Sequence, residues 1–261
     1  YFRTINNPLE MELRQAKKLT TKRNDFYADP HIMSNESHYK ILFENYIGSK
    51  GKAKISAVDI CKRTGKVGNT HDMIDELYHL SFPFSFKYKN KDYLTVESGS
   101  MPGIRIYKFL EDGSVIYDHT VMENTHYADP IIFKRDNFWF LIANVDVGGV
   151  RDFNSELHVY RASDPICGDW VAVGQNSVSY GAKNARNAGL INIGNSLFRV
   201  NQIQGFNFYG KGFGLNEIII SDNGEYSEKR IYTTSLLYPD GIEGIHTLHT
   251  NDGLLVFDGY K

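Results

Sequence analysis

Cysteine is nearly absent from this chain of 261 residues: Cys61 and Cys167 are the whole supply. They form no metal-type spacing, and a disulfide between them is allowed but not implied. Neither sign of charge is in excess. The formal net charge of −2 argues against nucleic acid or an anionic membrane as a partner. There is no run of 18 apolar residues, so no membrane span is expected. No secretory leader pattern is visible, which favours a cytoplasmic location, although the chain opens on Tyr1 rather than Met. Helical periodicity is missing apart from weak traces over 11–19 and 73–77.

Apolar and aromatic residues are plentiful. The hydrophobic fraction of 41% permits a full core and excludes a disordered chain. The 17 Tyr and 16 Phe suit strands. A tetrapeptide also repeats: Tyr27-Ala28-Asp29-Pro30 returns as Tyr127-Ala128-Asp129-Pro130. Each copy leads through an apolar run, a polar turn and a second apolar run. The same hairpin is found from Pro83 and from Ala188. Pro30 to Glu44, Pro83 to Glu97, Pro130 to Asn144 and Ala188 to Gln202 each span 14 positions. A fifth hairpin, of similar kind, runs from Ile245 to Asp258. Further strand-like runs fill the gaps, with turns at Asp112-Gly113, Asn223-Gly224 and Asp252-Gly253.

Four strands per period of roughly 50 residues is the pattern of a β-propeller blade. The expectation is therefore an all-β, five-bladed β-propeller forming one domain over 1–261, with blades starting near 27, 80, 127, 186 and 243. The fifth repeat holds only two strands before the chain stops at Lys261. Because an open blade leaves unpaired edges, residues before Tyr27 should close it.

In a propeller, equivalent positions form rings about the axis. The position before the shared proline yields Asp29, Phe82, Asp129 and Asn187, with Ser81 and Arg186 one step earlier. The fifth member is Glu243 or Ile245, and in the second alignment His246 takes the proline's place. The ends of the second strands give Glu44, Glu97, Asn144, Gln202 and Asp258. Clustered carboxylates push each other's pKa values apart, as acid–base chemistry requires. Asp29, Asp129 and Glu97 are accordingly the candidate catalytic residues, with Glu44 and Glu243 as other possible acids. Glu44, Ser81, Asn144, Arg186, Asn187, Arg199, Gln202, His246 and Asp258 are the candidate substrate-binding residues. Arg186 and Arg199 suit an anionic group. No cofactor is required, though an axial channel leaves room for a calcium ion. The glycine- and aromatic-rich stretch 205–214 reads as a mobile loop that stacks on a sugar. It lacks the strand-then-helix setting of a phosphate loop.

The Asp-Pro hairpins resemble those of the clan of glycoside hydrolase families 43 and 32. That resemblance implies a general base or nucleophile at Asp29 and an acid-tuning aspartate at Asp129. It also implies a general-acid glutamate opening the fourth blade. Here that place reads Ala185-Arg186-Asn187-Ala188-Gly189, without the glutamate. A closer resemblance is to the N-terminal propeller domain of glucosamine inositolphosphorylceramide transferases, also found in bacterial proteins linked to surface-sugar formyltransferases. The motifs carrying it include His79-Leu80-Ser81-Phe82-Pro83, Val96-Glu97-Ser98, Gly168-Asp169-Trp170, Phe198-Arg199 with Gln202, and His246-Thr247. It implies a carbohydrate or sugar-nucleotide ligand and a fused or associated biosynthetic enzyme. Two functions follow: glycosyl cleavage or transfer by carboxylate acid–base chemistry, or sugar binding without turnover.

Overall fold

The computed structural model describes residues 1–5, 13–21, 24–174, 178–205, 208–233 and 241–260. A short strand β1 (Phe2–Thr4) comes first. The first blade is β2 (Phe26–Ser34), β3 (His38–Ile47), β4 (Lys52–Cys61) and β5 (His71–Ile74). The second is β6 (Ser81–Tyr88), β7 (Lys91–Glu97), β8 (Ile104–Phe109) and β9 (Val115–Val121). The third is β10 (Tyr127–Arg135), β11 (Phe138–Val145), β12 (Glu156–Ala162), β13 (Val171–Ala172) and β14 (Ser179–Tyr180), the last two both pairing with β12. The fourth is β15 (Asn187–Ile193), β16 (Ser196–Gly205), β17 (Phe208–Ile220) and β18 (Tyr226–Thr233). Strands β19 (Leu248–Asn251) and β20 (Leu254–Phe257) begin the fifth.

The five sheets are antiparallel meanders, and the expected five-bladed propeller is what forms. Innermost strands β2, β6, β10, β15 and β19 pack in sequence order, and β19 returns to β2. Closure is also as expected: β1 adds to the outer edge of β20, pairing Phe2 with Val256 and Thr4 with Leu254. Phe2 further exchanges backbone hydrogen bonds with Lys17. The added strand covers the edge that β20 would otherwise leave unpaired.

Apolar side chains fill the spaces between blades. Phe2, Ile41, Phe43, Val58, Leu254 and Val256 join the fifth blade to the first. Phe84, Ile131, Phe140, Leu190 and Ile218 join the second, third and fourth. Neither weak helical trace becomes an α-helix. Leu13–Gln15 is a single 3-10 turn, residues 11 and 12 lie outside the described residues, and Met73 lies on β5. Both thiols are free, Cys61 half-buried and Cys167 exposed. Among the described residues no helix is long and apolar enough to cross a membrane.

Two histidines pin blades near the far end of the axis. Ile32 N–H donates to His249 Nδ1 (3.1 Å), and Ser85 N–H donates to His31 Nε2 (3.1 Å). The two rings stack with centroids 4.2 Å apart. Burial pushes His249 down to about 3, and burial together with His249 holds His31 well below its usual value. Both rings are therefore neutral when folded.

Two outcomes follow. Phe2→Ala should cost about 3–5 kcal/mol, the usual loss for a buried Phe, measured by urea unfolding. A loss below about 0.5 kcal/mol would show that β1 does not hold the ring shut. For the histidines, folded pKa values lie below unfolded ones. Their contribution is complete above about pH 6.5 and is lost as pH falls toward 3. Stability should drop over that window, and His249→Phe should make the drop shallower. An unchanged slope in that variant would rule the pair out as its source.

Candidate functional site

The repeated Asp-Pro marks a break in each inner strand. Register shifts fall between Ala28 and His31, between Ser81 and Phe84, and between Ala128 and Ile131. The residue before proline takes the left-handed conformation in all three: φ is 48° at Asp29, 45° at Phe82 and 50° at Asp129. Aspartate tolerates that region better than most residues. Proline, lacking an N–H, belongs where the ladder is already interrupted. Phe82 adopts the same strained backbone with a bulky side chain, so the surrounding structure imposes it. In the fourth blade the break lies between Asn187 and Gly189, and Gly189 carries the positive φ instead. A Cβ there would lie 2.1 Å from Leu248 O, so only glycine fits. In the fifth, Ile245 is buried and Glu243 exposed, which leaves Glu243 outside the ring.

Each bulge turns a backbone N–H toward the neighbouring blade. Asp29 N–H donates to Asp258 Oδ2 (3.0 Å), Asp129 N–H to Glu97 Oε2 (2.8 Å), and Asn187 N–H to Asn144 Oδ1 (2.8 Å). In all three the acceptor ends the second strand of the preceding blade. The second blade departs from this pattern: Phe82 N–H donates to Asp29 Oδ2 (3.2 Å) rather than to Glu44. Glu44 is thereby released from joining blades.

Glu44 is buried beside His79, whose Nε2 lies 3.3 Å from Glu44 Oε1. Ala53 N–H donates to His79 Nδ1 (3.3 Å), which leaves the ring proton on the nitrogen facing Glu44. Burial raises Glu44 to about 7; His79 opposes the rise, and the charge of Asp29 and a hydrogen bond with it add to it. The hydrogen bond to Glu44 raises His79. Asp29 Oδ1 accepts Thr247 Oγ1–H (2.7 Å) and lies 3.8 Å from His246 Nε2. His246 Nδ1 is 2.6 Å from Asp258 Oδ2. Burial works against charge on His246, but Asp258, then Asp29 and Glu44, lift it to about 9. Asp258 is held below its usual value against burial by His246 and by backbone N–H donors. His246 and Asp258 are therefore an ion pair at neutral pH.

Across the ring, Arg186 grips Asp129 with two nitrogens, Nη2 at 3.1 Å from Oδ1 and Nε against Oδ2. It also stands 4.0 Å from Glu97. Burial raises the Asp129 carboxyl well above its usual value, Arg186 opposes the rise, and Glu97 and Asp29 add to it. The mouth is partly open: the His79 side chain is 39% exposed and His246 20%.

Asp29, Glu44, His246 and Asp258 are thus gathered in one group, and Asp129, Glu97 and Arg186 in an adjoining one. Ser81 pairs with Glu97 across β6 and β7. Asn144 and Asn187 are fully buried and engaged with backbone groups and each other. Gln202 donates to Asn187 O and accepts from Gln204. Arg199 is fully buried, bidentate on Glu228 and donating to Asn184 O. Its guanidinium braces the fourth blade from within. The expected mobile loop at 205–214 needs correction. Residues 206 and 207 lie outside the described residues, and from Phe208 the chain is strand β17, pairing with β16. His79 and Thr247 were not among the candidate site residues, although both lie within motifs that carry the family resemblance.

Asp29, His246 and Asp258 each turn a ligand atom to within 4.8 Å of the others, a set able to approach one metal ion. Calcium prefers six to eight oxygens, and these carboxylate oxygens already accept from Phe82, Thr247, His246 and Asp29. The residues fit their own hydrogen-bond network better than a calcium ion.

Over residues 5–237 the sequence matches the family described as "Glucosamine inositolphosphorylceramide transferase 1, N-terminal". It is 26% identical over 213 residues to glucosamine inositolphosphorylceramide transferase 1 of Arabidopsis thaliana, covering 80% of this chain and 27% of that protein. It is 27% identical over 212 residues to the protein of that name from Oryza sativa subsp. japonica, covering 78% and 28%. The chain spans about a quarter of the length of these curated relatives. Among solved structures, the catalytic domain of the Coprinopsis cinerea GH62 alpha-L-arabinofuranosidase superposes with a TM-score of 0.66 at 11% identity, over 94% of this chain and 87% of that one. A family 117 glycoside hydrolase from Zobellia galactanivorans superposes at 0.62 and 10%, over 90% and 75%. At such identities these two share the fold. By its match over 5–237, the chain belongs to the family of glucosamine inositolphosphorylceramide transferase N-terminal domains.

Proposed function

We propose that this is a carbohydrate-active propeller whose axial mouth around Asp29 binds a glycosyl group and cleaves or transfers it by carboxylate acid–base chemistry. The observation that carries the reading is Glu44. It alone among the strand-end carboxylates facing the ring is released from joining blades, and it titrates at about 7 beside a second carboxylate. A carboxyl raised toward neutral pH by its surroundings can serve as a general acid. Glu44 donates its proton to the departing glycosidic oxygen, and Asp29 takes one from the incoming hydroxyl or water. His246, cationic through Asp258, stands 3.8 Å from Asp29 Oδ1. Asp129, fastened by Arg186, forms the wall of the site. Of the three sequence candidates for the acid, Glu97 has its Oε2 engaged by Asp129 N–H and Glu243 lies exposed outside the ring, which leaves Glu44. The names of the relatives, glucosamine inositolphosphorylceramide transferases, and of the structural neighbours, a glycoside hydrolase and an alpha-L-arabinofuranosidase, support a carbohydrate substrate class.

A second reading is a domain that holds a sugar or sugar nucleotide for a partner biosynthetic enzyme. It is favoured by the missing fourth-blade glutamate and by the structural engagement of Asp258, Asn144 and Asn187.

A panel of aryl glycosides and sugar nucleotides separates the two. Turnover in the wild type that falls roughly 10²–10⁴-fold in Glu44→Gln, with binding retained, supports the first. Binding without turnover in the wild type supports the second, and full activity in Glu44→Gln removes Glu44 as the acid. The pH profile is a further check. Because Glu44 must be protonated, activity should decline above about pH 7. The cation at His246 favours ionised Glu44, so His246→Gln should move that alkaline limb to higher pH. A limb that stays in place would separate His246 from the acid.

A further inference from the structure

The opposite end of the axis holds a cavity of about 250 Å³, lined by the far halves of all five inner strands. Lys87, Lys134, Asn192 and Thr250 line it at one shared register, each one pair short of its hairpin turn. This second polar ring differs in chemistry from the one around Asp29. Among the described residues no carboxylate lines the cavity, whereas two lysines do. The nearest opposing charge to Lys87 is Asp92 at 3.7 Å, on an exposed pair.

A buried donor points to the same chemistry. His31 lines the cavity and is 4% exposed. Its Nε2 accepts the Ser85 N–H, so in the neutral ring the proton sits on Nδ1. That Nδ1 is buried without a hydrogen-bond partner among the described residues. His249, also in the lining, accepts Ile32 N–H at Nδ1 and so carries its proton on Nε2. An unpartnered buried N–H is rare in native structures. Here it is matched by a cavity, lysines at its rim and an absence of acids.

From this convergence we infer a second ligand site, distinct from the Asp29 mouth, that takes a monosaccharide-sized molecule bearing an anionic group. Phe84, Phe133 and Trp139 supply apolar wall on which a sugar ring can lie. The volume falls just below the roughly 300–1,000 Å³ of drug-sized ligand pockets, which suits one ring rather than an oligosaccharide. Lys87 and Lys134 meet the anion from adjacent blades, and His31 Nδ1 donates to a ligand oxygen. The anion is a phosphate or a carboxylate; both accept from the same donors.

Calorimetric titration of the whole chain, with Trp139 fluorescence followed in parallel, tests this with four probes: a hexose 6-phosphate, a hexuronate, inorganic phosphate and the neutral hexose. Saturable binding of the hexose phosphate or the hexuronate is expected, tighter than either of the other two and weakened by added salt. Which of the two binds identifies the anion. The double variant Lys87→Ala, Lys134→Ala, both positions exposed, should fold normally and bind at least about tenfold more weakly. His31→Phe should weaken binding as well, and its circular dichroism reports whether it folds. The site is refuted if no probe saturates at millimolar concentration, or if the double variant binds like the wild type. Equal affinity for inorganic phosphate and the hexose phosphate overturns the sugar-sized part of the assignment.

Discussion

The propeller depends on a hydrogen bond that ties each of the first four inner strands to the blade before it. Left-handed backbone at Asp29 and Asp129 swings an N–H out of its own ladder, and a buried N–H without an acceptor costs about 1–3 kcal/mol. The acceptor comes from the end of the neighbouring second strand, Asp258 or Glu97. Asn144 does the same for Asn187 in the fourth blade. These bonds set the angle at which blades meet, and they gather polar side chains around one end of the axis. The polar mouth is therefore first a consequence of assembly.

Chemistry enters where assembly leaves a group over. Asp29 serves both sides: its amide is received by Asp258, and its carboxylate receives Phe82. Glu44 has no such duty. Burial pushes its carboxyl toward neutrality and Asp29 adds to the push, against the opposing pull of His79. The opposite case is Arg199, whose charge is neutralised by Glu228 and whose position is fully enclosed. A charged residue on an inner hairpin is thus no guide to the site until its partners are known.

The two mouths of the axis are electrostatic opposites. Around Asp29, carboxylates outnumber cations, and the cations present are fastened to them. Around Lys87 and Lys134 no acid among the described residues faces the cavity. The stacked, neutral pair His31 and His249 lies in the wall of the second mouth. That pair joins the first, second and fifth blades where β19 meets β2, the seam at which the ring closes.

Much of the fold was legible because its rules are local. A bulge wants Asp before Pro, a hairpin wants a polar turn, and a strand needs alternating burial. They recur in hairpins of one length, one per roughly 50 residues, and can be counted without coordinates. Closure by the N-terminal strand followed from the cost of an open edge. The grouping of Asp29, Glu44, His246 and Asp258 at one mouth was also implicit in that register. Tertiary structure alone decided which of those groups were engaged. Glu97, Asp129 and Asp258 meet backbone amides and partner charges from other blades, and a backbone amide has no signature in sequence. His79 reaches Glu44 from the strand connection before the second blade, and Glu228 reaches Arg199 from the fourth blade's outermost strand. The sequence determined which side chains would ring the axis. Only their neighbours in space decided that Glu97 would receive a backbone amide from the next blade and that burial beside Asp29 would raise Glu44 to about 7.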